Sequence, residues 1–189
     1  MIHRWLLVLL AGSLLAQEFK VGAKVADFNV NDPVGRPVKF SALRGDVTVV
    51  MFVSVQCPIS NDYNERIIAL YNDYTAKGVK FVFLNANVNE SPTQIMDHAK
   101  QVGFPFPVYR DQGNVVADRF GAQVTPESYV IDKLGTVLYH GAIDDARNPV
   151  RVTAKGLRMA LDAVMASKPV ATTETRAFGC TIKRVRKTT

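Results

Sequence analysis

Cysteine is scarce in this chain: Cys57 and Cys180 are the only two in 189 residues. Two thiols close at most one internal disulfide, which excludes a small scaffold stapled by bridges. Zinc-type ligand spacing is missing, as are a glycine-rich phosphate loop and a Ser-His-Asp arrangement, so structural zinc, P-loop nucleotide binding and triad hydrolysis fall away. Carboxylates do not pair as an acid/base dyad. Asp62 and Glu65 fall where negative charge complements a helix start, and Asp144-Asp145 reads as a cap on a connection. Repeats and low-complexity tracts are absent. The net charge of +6 gathers in the last residues, where Arg176, Lys183, Arg184, Arg186 and Lys187 are opposed only by Glu174. The body has no basic run interleaved with aromatics, so a nucleic-acid partner is rejected. A solvated basic tail is the first expectation, and weak attraction to an anionic membrane surface the second.

Residues 1–16 read as an export signal. His3 and Arg4 form a basic start, an apolar core follows over 5–15, and Ala16 is a small residue at a cleavage point. The core is too short to span a bilayer comfortably, no cysteine follows it to carry a lipid, and no second apolar segment is long enough to cross. The expectation is a periplasmic or secreted protein, soluble after cleavage. One domain would cover 17–166, and a tail carrying Cys180 would cover 167–189.

The pattern along the chain is that of an α/β domain. A short hairpin turns at 31–36, followed by one helical turn closed by Gly45. The valine-rich run 47–55 is a strand buried on both faces, as in a parallel sheet. Pro58 opens a helix that Gly78 stops, with Tyr63, Ile67, Leu70, Tyr71 and Tyr74 on its buried face. A second buried strand occupies 79–86. Ser91-Pro92-Thr93-Gln94 is a capping box with proline at N1, and its helix ends at Gly103. An extended stretch at 104–108, a short helix at 114–120, a hairpin over 127–132 and 136–143, and a helix at 153–165 complete the order. His98 lies on a helix face and is expected to be solvated. One mixed sheet with helices on both faces accommodates all of this.

Cys57 stands where the first buried strand gives way to the helix. A thiol at a helix N-terminus meets unpaired N–H groups and the positive end of the dipole, both of which favour the thiolate. Strand, Cys57-Pro58-Ile59-Ser60, long helix and then Thr125-Pro126-Glu127-Ser128-Tyr129-Val130-Ile131-Asp132 together resemble the thioredoxin fold. The branch is the AhpC/TSA–redoxin one, and the opening Val21-Gly22, Ala26-Asp27-Phe28, Gly35-Arg36-Pro37 and Leu43-Arg44-Gly45 are similar to its N-terminal signature. The resemblance implies a thiol–disulfide oxidoreductase with no cofactor, acting on protein or small-molecule disulfides and thiols. It also implies that Thr125-Pro126 is a cis-proline loop that, with Pro58, shapes the substrate groove.

Departures from the family pattern direct attention to the tail. The second cysteine of the thioredoxin motif is Ser60 here, whose hydroxyl is expected to donate to the Cys57 thiolate. The arginine that peroxiredoxins use to polarise peroxide is replaced by Pro126, so thiol peroxidase activity is a weak alternative. Cys180 is the candidate resolving thiol, with Phe178 and Ile182 anchoring the tail and Gly179 allowing close approach. A purely structural disulfide, or a redox-inert binding module, is the plain alternative. A further alternative is a copper chaperone, because Sco-type proteins of this fold bind copper with two cysteines and a histidine; here Cys57, Cys180 and His140 would be the ligands.

Overall fold

The computed structural model describes residues 19–186. The expected signal over 1–16 and Lys187 of the basic tail lie outside the described residues. Among the described residues no helix is long and apolar enough to cross a membrane.

Alternation along three central strands builds the sheet. In β3 (Val47–Phe52), Val49 and Met51 enter one apolar cluster while Val50 and Phe52 enter the other. The same alternation separates Phe83 from Val82 and Leu84 in β4 (Lys80–Asn85), and Val130 from Tyr129 and Ile131 in β7 (Glu127–Asp132). A period of two with both sets apolar requires cover on both faces. Helix α3 (Asn64–Thr75), α4 (Pro92–Val102) and α6 (Gly156–Met165) supply it on one face through Ile67, Leu70, Tyr74, Ile95, Leu157 and Leu161. Helix α1 (Phe40–Leu43) and α5 (Val115–Phe120) cover the other through Phe40, Val116 and Phe120.

The sheet has seven strands in the order β2-β1-β5-β4-β3-β7-β8, where β1 is Asn29–Asn31, β2 Pro37–Lys39, β5 Val108–Arg110 and β8 Val137–Gly141. β3, β4 and β5 run parallel, while β7 is antiparallel to both β3 and β8. This is the expected thioredoxin-like arrangement of a mixed sheet between helices. The extended stretch before residue 108 leads into a true strand, which joins the N-terminal hairpin to the parallel core.

Two expectations change. The helix expected over 58–78 is divided at Tyr63 into α2 (Pro58–Asp62) and α3. Tyr63 is 1% exposed and its hydroxyl donates to Asp144 Oδ1 at 2.8 Å, so the break turns a large ring into the core and gives its polar end a partner. In the tail, Phe178 and Ile182 anchor as expected, and what changes is that the segment forms a strand. It rejoins the body as β9 (Cys180–Thr181), paired antiparallel to β6 (Val124–Thr125). Ile182 is 2% exposed inside the α1/α5 cluster, a burial that stabilises docking by roughly 1.5–3 kcal/mol. The basic residues of the tail are also not simply solvated, since Arg184 Nε pairs with Asp118 Oδ1 at 2.9 Å.

Candidate active site

Cys57 is the N-cap of α2, with extended backbone at φ −84° and ψ 112° and Pro58 in the first turn, exposed. Its sulfur accepts from the Ser60 amide at 3.2 Å, as a capping side chain does, and contacts the Thr125 carbonyl at 3.4 Å. The thiol is only 2% exposed. Ser60 does act on Cys57, but by a different atom from the one expected. Its backbone N–H reaches the sulfur, and its buried hydroxyl accepts from the Ser54 amide at 3.2 Å.

Thr125-Pro126 is a cis peptide, as the resemblance implies, and both residues are buried. Thr125 is the register partner of Cys180 in the β6–β9 pair. A Cβ at Gly179 would collide with the Thr125 carbonyl, so only glycine lets the tail lie this close to β6. Phe178 packs edge-on to Tyr63 with centroids 6.1 Å apart. Together these contacts set Cys180 beside Cys57, close enough for each thiol to shift the pKa of the other, with both thiols free.

The two sulfurs are electrostatically unequal. Burial alone raises the pKa of Cys57. The Cys180 thiol, the Ser60 amide, the Thr125 side chain and the Cys180 amide outweigh it, and they hold Cys57 below the ordinary thiol range. Cys180 moves the other way. Burial, its hydrogen bond to Cys57 and the charge of Cys57 raise it, and the Ile59 backbone and Lys183 only partly offset them. Cys57 is therefore the better thiolate and the better leaving group of the pair.

Glu90 supports the Cys57 loop and was not foreseen. It is 1% exposed, and its carboxylate accepts from Ser54 Oγ at 2.6 Å and from the Val55 and Gln56 amides, both at 2.9 Å. Asn85 also donates to it, and the Cys57 amide donates to Ser54 Oγ at 3.1 Å. Three successive residues before the cysteine are thus fixed by one side chain. Glu90 lies just before the Ser91 capping box in the sequence, and nothing there signals a contact 36 positions away.

His140 does not join the cysteines. Its Nε2 lies 2.6 Å from Glu127 Oε1 and its ring stacks on Tyr129 at 4.4 Å. Among the described residues no group of three His, Cys, Asp or Glu side chains is placed to hold a metal ion, so the copper site of Cys57, Cys180 and His140 is not formed. Glu127 instead grips β6, accepting from the Gln123 and Val124 amides at 2.8 and 3.0 Å. Burial raises its carboxyl pKa, but the His140 hydrogen bond and these amides hold it below the usual range. His98 is half-buried rather than solvated, with Nε2 2.8 Å from Asn61 Oδ1, and burial lowers its pKa.

Known proteins are similar to this chain in sequence and in fold. The AhpC/TSA family model matches residues 21–140. A thiol-disulfide oxidoreductase ResA from Bacillus thuringiensis (strain Al Hakam) is 27% identical over 122 residues, covering 65% of this chain and 69% of the relative. The crystal structure of an uncharacterized conserved protein from Geobacillus kaustophilus is 32% identical, covers 90% of this chain and 95% of its own, and superposes with a TM-score of 0.83. A hypothetical protein from Sinorhizobium meliloti 1021 is 31% identical, covers 90% and 98%, and has a TM-score of 0.81.

Proposed function

We propose that this chain, which belongs to the AhpC/TSA family, is an extracytoplasmic thiol–disulfide oxidoreductase in which Cys57 is the nucleophile and Cys180 the resolving thiol. The observation that supports the reading is that both cysteines meet the same residue of the cis-proline loop, Cys57 at the Thr125 carbonyl and Cys180 as its strand partner, with opposite pKa shifts. In the first step the Cys57 thiolate attacks one sulfur of a substrate disulfide. The old S–S bond breaks, one substrate thiolate leaves, and a mixed disulfide forms on Cys57. The Cys180 thiolate then attacks the Cys57 sulfur and releases the second substrate thiolate. The substrate gains two electrons, and the protein ends as the Cys57–Cys180 disulfide.

Ser60 and the first turn of α2 stabilise the thiolate through backbone donors, while Thr125 and Pro126 form the wall opposite. The donors named on Cys57 are all uncharged. Peroxide cleavage would need a cation on the departing oxygen, so peroxidase activity is the secondary reading. The signal read over 1–16 supports an oxidising compartment, where such a disulfide persists.

Replacing Cys57 with Ser is expected to reduce the turnover of insulin or glutathione disulfide to background, and unchanged turnover refutes the nucleophile assignment. Air-oxidised wild-type protein should yield a Cys57–Cys180 linked peptide in non-reducing mass spectrometry. Its absence refutes the resolving role.

A further inference from the structure

We propose that the reductant returning this protein to its dithiol state attacks Cys180 rather than Cys57, so that the tail is the entry point for external thiols. The inference rests on the Cys57–Cys180 disulfide proposed above, and it concerns which of its two sulfurs is open.

Access separates the sulfurs. Cys57 is 2% exposed, with Thr125 and the α2 turn against its sulfur and the tail lying over it. Cys180 is half-buried in the tail, between half-buried Gly179 and exposed Thr181. Thiol–disulfide exchange requires the incoming thiolate to approach along the S–S axis, from the side opposite the leaving sulfur. An attacker on Cys57 has to pass the Thr125 loop and the α2 turn that touch its sulfur, whereas Cys180 is half-buried beside the exposed Thr181.

The redox state of the pair sharpens the difference. In the dithiol form β9 is held only by non-covalent contacts, chiefly Ile182, its pairing with β6, and the Lys183 amide on Asn87 Oδ1 at 2.8 Å. Lifting the tail then exposes Cys57 to a disulfide substrate. Once Cys57 and Cys180 are joined, the tail is covalently tied over Cys57 and cannot lift away from it.

The chemistry favours the same sulfur. An external thiolate RS⁻ bonds to the Cys180 sulfur, the Cys57–Cys180 bond breaks, and Cys57 departs as the thiolate. Cys57 has the lower pKa of the two, and lower-pKa thiols leave faster. Lys183, whose charge acts on Cys180, also favours an anionic attacker. The product is a mixed disulfide R–S–S–Cys180 on the tail, which a second external thiol reduces to give RSSR and the free Cys180 thiol. Two electrons pass from two external thiols to the protein.

The test uses oxidised full-length protein and glutathione as the probe. The protein is exposed to glutathione briefly, quenched with acid and iodoacetamide, and mapped by mass spectrometry at the earliest times. Glutathione on Cys180 with the alkyl label on Cys57 is the expected product, in about tenfold or greater excess over the reverse. Glutathione on Cys57, or an even distribution, overturns the inference while leaving the disulfide intact. If the protein carries no Cys57–Cys180 linked peptide before glutathione is added, both this inference and the resolving role fall.

Discussion

The two thiols lie side by side but are held by opposite kinds of structure. The Cys57 loop is fixed from beneath by buried polar groups: Glu90 takes the Ser54 hydroxyl and two successive amides, and Ser54 takes the Cys57 amide. The Cys180 segment is a two-residue strand with one buried aliphatic anchor, Ile182, and a glycine that allows close approach. A satisfied buried network locks one geometry. The tail is held instead by separate contacts along its length, Phe178 on Tyr63, the Lys183 amide on Asn87 and Arg184 on Asp118, beside the Ile182 anchor. One thiol is therefore fixed and activated, and the other is delivered to it.

The largest expected effect comes from loosening the delivered side. Ile182→Ala removes a buried side chain at a cost of about 2–5 kcal/mol, concentrated in tail docking. In the reduced protein, alkylation of Cys57 by iodoacetamide is expected to accelerate about 30-fold or more, the equivalent of the lower end of that cost. An unchanged alkylation rate would show that the tail does not control access to Cys57.

Loosening the fixed side should have a smaller effect on stability. Glu90→Gln keeps the size but turns an acceptor into a donor against donors already in place. A loss of about 1–3 kcal/mol in urea unfolding is expected, together with slower turnover. Wild-type turnover and stability in this variant would mean that the loop does not depend on the carboxylate.

The smallest effect is on pH dependence, and it separates the two thiols by sign. The pKa of Cys57 is lowered on folding, so its contribution to the stability of the reduced protein is present above the unfolded thiol value of about 8.5. It is lost as pH falls through the folded value. The pKa of Cys180 is raised, so its contribution is present below about 8.5 and lost as pH rises through its higher folded value. Reduced wild-type protein is expected to show a rise and then a fall around that pH in urea unfolding. Cys57→Ser should flatten both limbs, because the shift on Cys180 depends in part on Cys57. Superimposable profiles for the two proteins would contradict the coupling.

Much of the fixed side was legible in sequence. The buried strand before Cys57 and its place at a helix start are local patterns with local causes, whereas the Thr125-Pro126 loop was implied by the family resemblance. Ser60 was legible as a residue but not as an atom, because a hydroxyl and an amide compete for the same sulfur and only the turn geometry selects the amide. Glu90 was not legible, since a carboxylate just before a capping box is ordinarily solvated. His140 was a copper ligand only in the alternative reading, and the register of β7 on β8 sets it on Glu127 and Tyr129. β9 is too short to show any period, so its pairing could not be read from pattern.

By itself the sequence determined that a mixed α/β sheet forms and that Cys57 sits at the start of a helix, while its thioredoxin-like arrangement was implied by the family resemblance. Alternation, capping and helix polarity act over a few residues and need no distant partner. The sequence also suggested that the tail would anchor through Phe178 and Ile182, but tertiary structure alone decided that Glu90 turns inward and that the tail pairs with β6 so that Cys180 lies opposite Thr125. Each of these depends on burial and pairing between segments far apart in the chain, where the gain exists only once the sheet has brought them together.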